Sequence, residues 1–210
     1  MAEINIDRIG GGGTPLPLGN LKVDNPLNAS LQIVKDTGGT ASALLISTTD
    51  VTNYGGGAIT TNTAFGDNAL ILNTTGSQNT AFGMLAMESN GTGSDNTAIG
   101  LSALRNNVSG LRNTAIGSNA IGVNTIGINN TSVGSFSSSN NQNGSNNTVL
   151  GDLALFSNIS GNSNTAVGRS ALQSNTASNN VAVGFESAFS NTTGTAITAI
   201  GYNALRANTT

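Results

Sequence analysis

Few side chains in this sequence could do chemistry, and their spacing limits what they could do. Asp67 and Asp152 fall at the same position of a recurring phrase but five copies apart, and Asp95 falls elsewhere in it. Cleavage of a glycosidic bond needs two carboxylates about 5 to 10 Å apart, a separation that four intervening copies rule out for this pair. Scattered, solvated carboxylates account for them better. A calcium-binding repeat would carry Asp at one fixed place in every copy, and this chain does not. The stretch "IGGGGTPLPLG" has the glycines of a phosphate loop but lacks the closing Lys-Ser/Thr and any strand-to-helix context, so it reads as a linker. Tyr202, in the last copy, is the type of side chain that stacks on sugars. No catalytic, cofactor-binding or metal-ligating residue is assigned, no cofactor is expected, and an enzyme is not the expected class.

Composition agrees with that reading. The chain has no His and no Cys, so the commonest general base, the thiol nucleophiles and the usual zinc ligands are missing. Only 8% of the residues are charged, against roughly 25% in an ordinary soluble domain. Solubility therefore falls to neutral polar side chains, led by 32 Asn among the 210 residues. A net charge of −3 with 7 Lys+Arg offers no basic patch for a phosphate backbone, so nucleic acid is not an expected partner. No stretch approaches the roughly 18 to 20 apolar residues of a membrane span, and the N-terminus lacks the pattern of a secretory signal.

What the chain does have is a period. The glycine after each "NTAx" phrase recurs at Gly66, Gly83, Gly100, Gly117, Gly134, Gly151, Gly168, Gly184 and Gly201, seventeen apart except for one step of sixteen. The residue before each glycine is apolar in all nine copies (Phe65 through Ile99 to Ile200), and two residues earlier stands Thr, or Val181 in the eighth copy. Between them runs a small-residue column, mostly Ala. This alternation predicts a very short strand with the Thr97 and Ile99 columns on one face, directed inward, and the Ala98 column on the other, where a second backbone comes close. Four residues after each glycine comes a further apolar position, Leu70, Met87, Leu104, Ile121, Leu155, Leu172 and Leu205, with Ser138 in the fifth copy and Phe189 as the expected equivalent in the eighth. Flanking helix formers and an Asn three residues later (Asn73, Asn90, Asn107) predict a single helical turn ended by a left-handed Asn.

Two or three apolar side chains per copy cannot make a core, so the copies must stack, with Ile and Leu ladders inside and Asn and Thr columns outside. The expected class is mainly β: an elongated β-solenoid or β-prism of nine ~17-residue repeats over residues 62–210. Whether one repeat is a full coil of one chain or one side of a three-chain prism stays open at this level. In the fifth copy Ser138 removes a buried Leu, and Phe136 could turn inward to compensate. Residues 1–20 read as an extended arm, and 21–61 as a small β domain with a hairpin of Leu31–Lys35 and Ala41–Ser47.

The phrases "NTAFGDNAL", "NTAIGLSAL", "NTAVGRSAL" and "TAIGYNAL" resemble the repeats of bacteriophage tail fibres and are similar to the "VAIG"-type repeats in the heads of trimeric autotransporter adhesins. The resemblance covers the nine copies. It implies a homotrimer around a threefold axis, with the alanine column as the face where chains meet. It further implies a structural, adhesive protein of the virion tail, assembled in the host cytoplasm. Residues 1–20 would hold a tail or baseplate protein, and the shaft would touch a host-surface glycan or protein without inserting into the membrane. An autotransporter adhesin would be expected to carry a signal peptide and a membrane anchor, neither of which is seen here. Many such fibres continue into a terminal knob or self-cleaving chaperone domain. From a different class, the regular Thr column suggests an ice-binding solenoid, against which stands its expected inward direction.

Overall fold

In a computed structural model, the described residues are the strands Gln32–Lys35 and Ala41–Leu45 and residues 61–210. The two strands pair antiparallel, Gln32 with Leu45 through Val34 with Ala43, with a slip at Lys35. That is the hairpin expected from sequence. The arm at 1–20 and the remainder of 21–60 lie outside the described residues. The hairpin falls in one compact unit, Met1–Leu45, and the repeats in another, Ile46–Thr210.

In the second unit, one copy is one complete coil of a single chain. Strands Thr63–Phe65, Thr80–Phe82, Thr97–Ile99, Thr114–Ile116, Thr131–Val133, Thr148–Leu150, Thr165–Val167, Val181–Val183 and Thr198–Ile200 form one parallel sheet in chain order. Each residue pairs with its counterpart one copy on, as Thr97 with Thr114 and Ile99 with Ile116. A β-solenoid follows, whose coils are spaced like paired strands at about 4.8 Å. A smaller parallel sheet, Ser89–Asn90, Asn106–Asn107 and Val123–Asn124, runs along another side of copies two to four.

The strand alternation has the expected period and the opposite sign. Ala81, Ala98, Ala115, Ala166 and Ala182 are fully buried, while Phe65, Phe82, Ile99, Leu150 and Ile200 are exposed, Phe65 by 51%. The apolar column before each glycine therefore faces outward, and the Thr column does share its side. Volume explains the inversion. Ala98 shares one core cluster with Ala103 and Leu104 of its own coil, and so narrow an interior favours a methyl group over a second branched side chain at native packing density; the one branched residue buried in this column, Val149, is paired with Ser132 of copy five. The close backbone on the alanine side belongs to the same chain.

The Leu column is buried as expected: Leu70, Met87, Leu104, Ile121, Leu155 and Leu172 have no exposure, and only Leu205 in the last coil is exposed. In the eighth copy the position belongs to Ala188, fully buried, and not to Phe189. The step of sixteen falls earlier, in a turn shortened between Asn175 and Ala177, where the Asn175 side chain still reaches the Ala177 carbonyl at 2.8 Å.

The corner after each glycine is not helical, and no helix occurs among the described residues. Ala103 N donates to Gly100 O at 3.3 Å, closing a β-turn whose third residue, Ser102, has φ 54°, the position where a type II turn requires positive φ. Leu104 is again left-handed at φ 48°, and its N–H goes to Ala120 O in the next coil at 2.9 Å. Helix propensity loses because the Ser102, Leu104 and Asn106 amides find carbonyls one coil away. Left-handed backbone at a non-glycine residue costs about 1–2 kcal/mol, and these inter-coil bonds offset it. The glycine that opens the corner has no such freedom to change: Gly100 sits at φ 129°, and a Cβ there would lie 2.7 Å from the Gly117 carbonyl oxygen.

Copy five divides the core. Ser132, Ser137 and Ser138 occupy buried positions where other copies place Ala, Ala and Leu, and the buried apolar residues split there into two clusters, one ending at Ile121 and the other starting at Val149. Ser132 and Ser137 bond each other at 2.8 Å, while the Ser138 hydroxyl has no partner. Phe136 does not compensate; it points out, 41% exposed. Because Ser138 has φ 47° against 48° for Leu104, a leucine fits the backbone there. Ser138→Leu is expected to stabilise the shaft by about 1.5–3 kcal/mol, and Leu104→Ala to destabilise it by about 2–5 kcal/mol, both read as shifts of the urea unfolding midpoint.

Candidate functional site

Two internal ladders of asparagine hold the outer surface in register. In the first, most side chains donate to their counterpart in the preceding copy and to a glycine carbonyl in their own turn: Asn107 Nδ2 lies 2.7 Å from Asn90 Oδ1 and 3.0 Å from Gly110 O. In the second, the carboxamide oxygen accepts the main-chain N–H of the next copy, as Asn113 N to Asn96 Oδ1 at 2.9 Å, while Asn96 Nδ2 donates to the same Gly110 O at 2.9 Å. Both columns are buried, not on the outside as expected, and Asn73, Asn90 and Asn107 are not left-handed. The amide group suits this place because it supplies two donors and an acceptor with no charge to desolvate. The first ladder breaks at copy five, where Asn124 Oδ1 has no partner, and again at the shortened turn, where Asn175 Nδ2 donates to Ala177 O and Asn158 Oδ1 accepts from Gly161 N.

On that frame the sheet presents a flat outer face with two parallel columns. One carries hydroxyls, Thr63 to Thr198 with Val181 interrupting. The other carries Phe65, Phe82, Ile99, Ile116, Val133, Leu150, Val167, Val183 and Ile200. Phe65 and Phe82 stack at 4.9 Å between centroids. Just beyond the bend at each glycine, Met84 and Leu101 extend the apolar strip in the early copies.

The late copies carry a different surface. Arg169 pairs with Asp152 at 3.4 Å and lies over the Phe185 ring at 5.7 Å. Phe185 in turn stacks on Tyr202, with centroids 5.4 Å apart and planes at 11°. One corner away, Arg206 pairs with Glu186 and covers the Phe189 ring at 5.2 Å. Tyr202 is 75% exposed, so the aromatic patch is open to solvent and framed by guanidinium and carboxylate groups that can bond hydroxyls.

Of the residues singled out from sequence, Asp67 and Asp152 share a column five coils apart, about 24 Å at the coil spacing, and are not brought together. Asp152 is instead an ion-pair partner, and Asp95 sits in a turn with φ 60°. Among the described residues, no three His, Cys, Asp or Glu side chains gather as a metal site would require. Tyr202 is joined by Phe185, on which Arg169 lies, neither of which sequence reasoning selected. The signal was present: Phe185 and Tyr202 stand one period apart, as do Glu88 and Arg105, which bond at 2.6 Å. In a solenoid, side chains one period apart touch.

No protein-family model, curated protein or solved structure matches the chain. The reading of function therefore rests on the surface itself and on the ladders that shape it. Asn107→Ala leaves the Asn90 carboxamide oxygen without its donor inside the coil and takes from Asn124 Nδ2 one of its two acceptors, Gly127 O being the other; a buried unsatisfied group costs about 1–3 kcal/mol. The variant is expected to lose that much stability in urea unfolding, whereas Asn106→Ala, at an exposed position without positive φ, is expected to change it by less than about 0.5 kcal/mol.

Proposed function

We propose that the protein is a structural, adhesive shaft: a trimeric fibre of the phage tail, attached through its N-terminal arm to a tail or baseplate protein, whose late copies contact a glycan or protein of the host surface. The observation that carries this reading is the apolar column on the outer face. Soluble monomers rarely leave long contiguous apolar strips in water, and this one runs the length of nine coils, about 40 Å at strand spacing. A second and third copy with parallel axes offer the matching period, so that each rung meets its equivalent around a threefold axis. The chain contact thus moves from the alanine column to the Phe65–Ile200 column. Low charge along the shaft leaves little repulsion between copies. The aromatic and guanidinium patch of copies seven to nine supplies the adhesive element. It combines ring faces for the C–H side of a sugar with planar charged groups for its hydroxyls.

The Thr column supports a second reading, an ice-binding or other solenoid adhesin. Its hydroxyls point outward in regular rungs, so the objection that they face inward no longer applies. The two readings place the same face against different partners, another chain or ordered water.

Light scattering separates them. A native mass of three times 20.9 kDa is expected, falling to one chain in Leu150→Asp, a change at an exposed strand position that leaves the coil itself folded. A folded monomer in the parent protein would sink the fibre reading, and thermal hysteresis in that monomer would favour ice. For the adhesive patch, Tyr202→Ala is expected to reduce adsorption to host cells at least tenfold without changing the native mass; undiminished adsorption would exclude the patch.

A further inference from the structure

The chain contains two Asn–Gly steps, Asn90–Gly91 and Asn143–Gly144, and the fold treats them in opposite ways. Asn–Gly is the step most open to spontaneous deamidation, because glycine has no Cβ to shield its nitrogen from the preceding carboxamide. We propose that Asn143 is the shaft's site of deamidation and that the asparagine ladder protects Asn90.

At Asn90 every reacting group is occupied. Its side chain is buried, Nδ2 donates to Asn73 Oδ1 at 2.7 Å and to Gly93 O at 2.8 Å, and Oδ1 accepts from Asn107 Nδ2 at 2.7 Å. The attacking nitrogen is also held: Gly91 N donates to Asn107 O at 2.9 Å. Asn143 differs on each point. It is exposed, it stands outside both ladders, and the Gly144 N–H has no main-chain partner among the described residues.

The step is self-contained apart from water and a base. The Gly144 nitrogen gives its proton to hydroxide or buffer and adds to Asn143 Cγ. The Cγ–Nδ2 bond then breaks, and the side-chain nitrogen leaves as ammonia, protonated by water. One water opens the resulting succinimide at either carbonyl, giving aspartate or isoaspartate at position 143. No oxidant or reductant is involved. Isoaspartate adds a main-chain carbon inside the turn from Asn141 to Gly144, whose Gly144 carbonyl accepts from Asn130 at 2.8 Å and Asn141 at 2.9 Å. That turn belongs to copy five, where the core is already divided and the first ladder already broken.

The test is incubation of the whole protein at mildly alkaline pH, with peptide mass mapping that separates aspartate from isoaspartate. Conversion at Asn143 is expected to outrun conversion at Asn90 by at least about tenfold, since Asn90 reacts only from locally opened coils. In urea the two rates should converge, and Asn143→Gln should remove the fast phase. Equal rates in the folded protein would overturn the proposal, as would a difference that persists in urea or a rate at Asn143 no greater than at Asn162, which precedes serine.

Discussion

The structure depends on one constraint: the main chain of each coil is satisfied by the coil on either side and hardly at all by itself. Thr97 N reaches Asn113 O, Gly117 N reaches Ile99 O, and Leu104 N reaches Ala120 O, all at 2.8 to 2.9 Å. Such bonding demands that every coil have the same path, and hence nearly the same length, because an offset of one residue would reverse every side chain around the coil. The sixteen-residue step obeys the rule by losing its residue in a turn, between Asn175 and Ala177, where the pairing of the strands that follow, Thr165 with Val181, is undisturbed.

The same constraint sets the composition. Coils packed at strand spacing leave a shallow interior, so one wall is mostly alanine, the facing column is mostly leucine, and much of the remaining buried space goes to asparagine. An apolar residue could not replace Asn107 without cost, because the Asn90 carboxamide oxygen would lose its donor and the Gly110 carbonyl one of its two. A charged residue would carry an uncompensated charge into the core. The abundance of neutral amides, which composition suggests is a means of solubility, is in large part internal hydrogen bonding.

How much of this was legible follows from which physical quantity each signal reports. The period was fully legible, since Gly66 to Gly201 marks it without structure, and so were the strands and the buried Leu column. The direction of the strand faces was not. Ile99 was assigned inward because it is apolar, but both faces of the strand are apolar, and volume decides between isoleucine and alanine. The helical turn failed for a related reason. Local propensity around "LSALR" describes an isolated segment, whereas Leu104 has its amide claimed by Ala120 of the next coil. Asn107 was read by its tolerance of left-handed backbone, when its side-chain amide is what the fold uses.

The candidate surface was less legible than the fold, because it is made of contacts between copies. Tyr202 alone says little; Tyr202 stacked on Phe185, with Arg169 on that ring's other side, is a surface with a chemistry. These residues come from three successive coils and meet only because the coil length is fixed. In a solenoid the period serves as the contact map: columns of identical residues build the frame, and departures from a column mark where the surface carries something of its own. By that measure copy five departs inward, weakening the frame, and copies seven to nine depart outward, replacing the small and apolar residues of earlier copies with rings and charges. The first departure bears on the stability of the solenoid, the second on the chemistry of its outer surface.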